Sequence, residues 1–213
     1  IFNVINIKNK YFNTMKTIPE IVDYFDDHKT YIITEKRPVF TYADLKKQIK
    51  WTNHFFCQNQ INKTDTIAIV IGNGPEMATS FLSTASYCCA APLNPNYTET
   101  EFNFFLEDLK PKAIIVSQDS NSKIINLAIK KGIRIFELFI NKNECSGKFT
   151  LKSNHKQKFN ITNHNNNITP NDVALILHTS GTTSKPKMVP LTHENLCTSA
   201  KNIVQTLNLV RSD

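Results

Sequence analysis

Between residues 66 and 139 the sequence alternates short apolar runs with amphipathic segments of helical period, and few architectures satisfy that rhythm. The runs are TIAIVI (66–71), CAAPL (89–93), AIIVS (113–117) and IRIFELF (133–139). They hold too few polar residues for strands with one wet face, so each needs cover on both sides. The segments between them read as helices. Pro75 stands where a first helical turn tolerates it, and Thr98 with Glu101 forms a capping box. Behind that box Phe102, Phe105, Leu106 and Leu109 make one stripe, which Pro111 stops. Ile124, Leu127 and Ala128 share a face of the next helix, with Gly132 placed as its C-terminal cap. Repeated βα units predict an α/β fold: a doubly wound, largely parallel sheet with helices on both faces.

The flanks are less regular. Ile18, Ile21, Val22 and Phe25 follow helical spacing, TYIIT (30–34) reads as a strand, and Pro38 marks a turn. Thr41 and Asp44 open an amphipathic helix that places Leu45, Ile49 and Phe56 on one side. Residues 141–171 are rich in Asn, Lys and Ser and predict a long polar loop. VALILH (173–178) then reads as a buried strand, and 192–210 as a helix with Leu196, Ala200, Ile203, Val204 and Leu207 turned inward.

Between that strand and that helix lies LHTSGTTSKPKMVP (177–190), the stretch richest in chemistry. Thr179, Ser180, Thr182, Thr183 and Ser184 supply five hydroxyls, Gly181 lets the backbone bend, and Lys185 and Lys187 flank Pro186. A connection leaving the carboxyl end of a strand in an open α/β sheet is where such folds bind ligands. Hydroxyls, successive amides and two ammonium groups suit phosphate, since each charge-assisted hydrogen bond is worth about 1.5–3 kcal/mol. The Walker pattern G-x-x-x-x-G-K-[ST] is absent, and GNGPEM (72–77) lacks the third glycine of a dinucleotide fingerprint.

Composition narrows the partners. The chain has 213 residues and a formal charge of +7, but its lysines are scattered and no run of like charges marks a nucleic-acid arm. Five cysteines without C-x-x-C spacing fit reduced thiols inside a cell. His193 and Cys197 stand one helical turn apart, yet two ligands are too few for a closed metal site, and no metal ligand is assigned. No stretch reaches the roughly 18 apolar residues of a membrane span. The first residue is Ile1, and a start at Met15 suits the pattern that follows, so residues 1–15 are read as a candidate non-native extension.

TSGTTSKPK (179–187) closely resembles the phosphate-binding signature of the adenylate-forming enzymes, the superfamily of acyl-CoA synthetases, luciferases and peptide-synthetase adenylation domains. FTYADL (40–45), residues 65–97 and LTHENL (191–196) resemble that family in the same order. APLNPNYTETEFNFFLED (91–108) is similar to its oxalate–CoA ligase and peroxisomal CoA-synthetase-like branch. The resemblance implies that residues 1–213 form a partial N-terminal AMP-binding domain whose parent joins a small carboxylic acid, through an acyl-adenylate, to coenzyme A. It implies ATP, Mg²⁺ and coenzyme A, with residues Thr179 to Lys187 around the β- and γ-phosphates. It also implies that the acyl pocket and catalytic lysine lie beyond Asp213, so that no catalytic residue is assigned and the fragment alone is inactive. A ligase for a fatty or aromatic acid, or a truncated nucleotide-binding domain, remain alternatives, as do the cytoplasm and the peroxisome for residence. Three positions depart from the family pattern: Cys88, Ser184 and Met188 stand where glycine is usual. At Met188 a positive φ would carry a cost of about 1–2 kcal/mol.

Overall fold

Four threonines set where helices begin. Thr17, Thr41, Thr98 and Thr192 each accept the backbone N–H three residues on, and Glu20, Asp44, Glu101 and Asn195 return a bond to the cap's own N–H. The computed structural model describes residues 14–154, 167–179 and 186–209. Its elements run α1 (Ile18–Tyr24), β1 (Thr30–Thr34), β2 (Arg37–Thr41), α2 (Tyr42–Gln58), β3 (Thr66–Val70), α3 (Pro75–Ala85) and β4 (Cys89–Pro92). They continue with α4 (Glu99–Leu109), β5 (Ala113–Ser117), α5 (Lys123–Lys130), β6 (Arg134–Phe139), β7 (Thr150–Ser153), β8 (Val173–Thr179), β9 (Lys187–Thr192) and α6 (His193–Thr206).

Seven strands share one sheet in the order β7-β6-β5-β3-β4-β8-β9, and β1 and β2 form a separate antiparallel hairpin. The five inner strands are parallel, while β7 and β9 run antiparallel along the two edges. The doubly wound, largely parallel sheet expected from the alternation is therefore present, closed by two antiparallel edges. Along β3 and β5 the side chains alternate between two cores. Ile67, Ile69, Ala113 and Ile115 meet α1, α2 and α3 on one face, with Leu45, Phe56 and Phe136 in the same cluster. Ala68, Val70, Ile114 and Val116 meet α4 and α5 on the other, with Phe102, Phe105, Leu106 and Ile124. The chain steps from β3 to β4 in one direction and from β4 to β5 in the other. Right-handed crossovers then require α3 and α4 on opposite faces.

Two segments differ from the sequence reading. Residues 141–154, expected within a polar loop, are ordered against the sheet: β7 pairs with β6, and Phe149 and Leu151 are buried. Arg37 holds this segment with its whole guanidinium, donating from Nε to the Glu144 carbonyl (2.9 Å), from Nη2 to the Cys145 carbonyl (2.7 Å) and from Nη1 to Glu76 (2.6 Å). Pro38, read as a turn, lies inside β2, which has only one strand partner and so tolerates a missing donor. The second difference is α6, where His193 and Cys197 are the buried residues and Ala200, Ile203 and Leu207 are exposed. Leu196 packs against the core, and farther along α6 the Lys201 ammonium donates to the Met15 carbonyl at 2.7 Å.

His193 is the peg that seats α6. Its Nδ1 accepts the N–H of Ile18 at 3.2 Å, the ring is 1% exposed, and it bonds the Ala85 backbone. Those bonds account for the buried imidazole, and Cys197, one turn on, is 2% exposed. Burial pushes the imidazole below its ordinary range, against the opposing pull of Asp172 and Glu20. A depressed histidine binds its proton preferentially in the unfolded chain, so its contribution to stability is whole above about pH 6.5 and falls as pH drops toward the folded value. Chemical denaturation between pH 7.5 and 5 should show wild-type stability falling with acid, and His193→Gln, less stable at pH 7, should lose most of that slope. Parallel slopes in the two proteins would show that another group is responsible.

Candidate functional site

In a sheet of this kind the strand ends that feed helices on opposite faces leave a crevice between them. β3 leads through residues 71–74 to α3 on one face, and β4 leads through 93–98 to α4 on the other. β8 lies beside β4, with Leu175 opposite Ala90, and runs parallel to it. Its carboxyl end, at Thr179, therefore opens on the same rim as the crevice.

The connection that follows does not enter a helix, as the sequence reading expected. β8 pairs antiparallel with β9, in register from Leu175 opposite Leu191 to Thr179 opposite Lys187 after an irregularity between Val173 and Leu175, and α6 starts only after β9. The hydroxyl-rich stretch thus begins at the end of β8 and ends at the start of β9, two antiparallel strands at the sheet's edge. Pro190 lies within β9, where an edge strand can spare a donor. Of the nine expected phosphate-binding residues, Thr179, Pro186 and Lys187 are described, and Ser180, Gly181, Thr182, Thr183, Ser184 and Lys185 lie outside the described residues. Thr179 and Lys187 stand directly opposite each other at the mouth of the hairpin, both exposed. Directly opposed residues point to one face, so a hydroxyl and an ammonium group are presented together.

The next pair inward, His178 opposite Met188, points the other way. There the His178 ring meets α4. Its Nε2–H donates to Asp108 Oδ2 at 2.9 Å, and its side chain is 5% exposed. Phe105 stands edge-on to it at 4.7 Å between ring centroids, and Tyr97 stacks on Phe105 at 4.8 Å. An aromatic ladder therefore joins the loop after β4, helix α4 and the root of the hairpin. The sequence reading used Phe105 as a core residue and assigned nothing to His178 or Asp108. The one available signal was an imidazole at the end of an otherwise apolar strand.

The donor set suits anionic oxygen. Among the described residues no group of three or more His, Cys, Asp or Glu could hold a metal ion. An apolar cavity of about 290 Å³ lined by Phe25, Tyr31, Tyr42 and Leu196 opens on the opposite face of the sheet from α4. It is no part of the hairpin, and burial there pushes the Tyr31 hydroxyl up to about 12. No described helix is long and apolar enough to cross a membrane.

A sequence profile for a family described as "AMP-binding enzyme" matches residues 23–213. The oxalate–CoA ligase of Saccharomyces cerevisiae is 36% identical over 88% of this chain and 39% of its own length. The oxalate–CoA ligase of Arabidopsis thaliana is 35% identical over 72% of this chain and 30% of its own. The chain thus spans well under half the length of the relatives it matches. Among solved structures, apo MatB from Rhodopseudomonas palustris superposes with a TM-score of 0.68 over 92% of this chain and 38% of that one, at 21% identity. That likeness concerns the fold.

Two substitutions in the sequence lose their expected cost. Met188 sits inside β9, and neither it nor Cys88 is among the described residues with positive φ, so neither strains the backbone. Burial pushes the Cys88 thiol well above its ordinary range, as for an inert core cysteine. Met188→Gly should therefore lower stability, by about 0.5–1 kcal/mol for the added backbone freedom alone. Urea unfolding measures it, and a stabilised Met188→Gly protein would reveal strain at this position.

Proposed function

The chain belongs to the AMP-binding enzyme family, and from that premise we propose that it carries the ATP-gripping part of an acid–CoA ligase whose acid is oxalate. The observation that carries the reading is the mouth of the β8–β9 hairpin, where Thr179 and Lys187 face one another at the carboxyl rim of the sheet. The likeness to two oxalate–CoA ligases supports the choice of acid. In the first step a carboxylate oxygen attacks the α-phosphorus of ATP, and the bond to the bridging oxygen breaks to release pyrophosphate. In the second the sulfur of coenzyme A attacks the acyl carbon and AMP departs.

This chain's share lies in the first step. Charge accumulates on the leaving pyrophosphate, and preplaced donors stabilise it most where they need not reorganise. The Lys187 ammonium supplies a positive charge and Thr179 a hydroxyl donor, while Ser180, Gly181, Thr182, Thr183, Ser184 and Lys185, between them in the sequence, are the remaining candidates for phosphate contact. Pro186, half-buried, limits the backbone just before Lys187. Mg²⁺ would arrive on the nucleotide and neutralise phosphate charge. The formal charge of +7 is compatible with substrates that are all anions.

In the full-length protein, oxalate-dependent exchange of pyrophosphate into ATP should be measurable. Lys187→Ala should lower its rate about a hundredfold, the usual scale for losing one preorganised charge-stabilising donor. Exchange supported better by a long-chain or aromatic acid would remove oxalate as the substrate. Undiminished exchange in Lys187→Ala would remove the hairpin from the mechanism.

A further inference from the structure

The root of the hairpin is fastened by residues 70 apart in sequence. The sheet already fixes the backbone of His178 opposite Met188, and the imidazole adds a second hold outside the ladder. Its Nε2–H donates to Asp108, a carboxylate that can only accept, while Phe105 and Phe104 stand edge-on at 4.7 and 6.4 Å. A side chain 5% exposed, with one bond and two rings around it, has little rotamer freedom. The peptide that leads from His178 into Thr179 is therefore held from the face opposite to the one on which Thr179 and Lys187 stand.

Resting on the phosphate-binding reading of the hairpin, we propose that His178 and Asp108 are a positioning pair that presets the geometry of Thr179 and Lys187 before ATP arrives. Neither residue touches phosphate. Their effect is on ordering: a mouth already aligned loses less freedom when the nucleotide binds, and that difference appears as affinity. The aromatic ladder through Tyr97 and Phe105 ties the same root to the loop after β4, so the hairpin and one side of the crevice share one support. The run from 91 to 108 thereby acts on the phosphate site without lining it.

A purely structural pair would lower the folded fraction and leave the ATP affinity of folded molecules unchanged. The two roles separate in the full-length protein by titrating ATP calorimetrically and by measuring KM and kcat for pyrophosphate exchange. Asp108→Ala and His178→Phe, which keeps a ring against Phe105, should each raise the Kd and KM for ATP about tenfold, with kcat held within about twofold. The KM for the acid should not move. Asp108→Asn keeps an acceptor oxygen and should stay within about threefold of wild type in KM for ATP. An unchanged Kd for ATP in both Asp108→Ala and His178→Phe, or a loss confined to kcat, overturns the proposal. Should Asp108→Ala fail to fold, His178→Phe against Asp108→Asn decides it alone. A wild-type protein that binds no ATP sinks the phosphate reading itself, which is visible before any substitution is made.

Discussion

A strand covered on both faces and both edges has nowhere to put a polar side chain, and β3 is that strand here. Ile67, Ala68, Ile69 and Val70 are at most 1% exposed, with β4 and β5 along the two edges and a helical layer on each side. From this follow the parallel direction of its neighbours, which need helices to return the chain, and the opposite faces of α3 and α4. The crevice at the strand ends is then a geometric consequence. Once the connections after β3 and β4 depart to opposite sides, a gap must remain between them, and the hairpin of β8 and β9 stands beside it.

Two of the stretches that carry the family resemblance meet in space. Thr179 and Lys187 stand at the mouth of the hairpin, and Tyr97, Phe105 and Asp108, within 91–108, supply the rings and the carboxylate behind it. On one face of the β8–β9 pair stand the Thr179 hydroxyl and the Lys187 ammonium; on the other, the His178 imidazole among aromatic side chains. One β-strand separates the proposed binding chemistry from its proposed support, because successive side chains of a strand point to opposite sides.

Local signals were legible in the sequence and long-range ones were not. The capping boxes at Thr41 and Thr98, the stripe from Phe102 to Leu109 and the positive φ at Gly132 involve neighbours within a few turns, so their spacing states them outright. β7 was hidden because TLKS is short and sits in an Asn- and Lys-rich context; its burial at Leu151 depends on β6, which no local pattern reports. β9 was hidden by Met188 and Pro190, which break any strand alternation, although an edge position accommodates both. The inward stripe read on α6 holds at Leu196, which packs against the core, and fails at Ile203 and Leu207, which the described residues leave open. Nothing in the sequence joins Asp108 to His178.

The order of the strands also bears on how the protein is made. β7 ends at one edge of the sheet, yet β8 must be laid beside β4, past β6, β5 and β3. During synthesis from the amino terminus, the flank of β4 therefore waits unpaired while about eighty further residues emerge, a distance read from Pro92 to Val173. An open edge in a nascent chain is a site for mispairing with another polypeptide, and slow non-local closure prolongs it. The strand that delivers the proposed phosphate-binding hairpin is thus also the one that seals this flank, so that maturation of the candidate site and protection from aggregation are the same event.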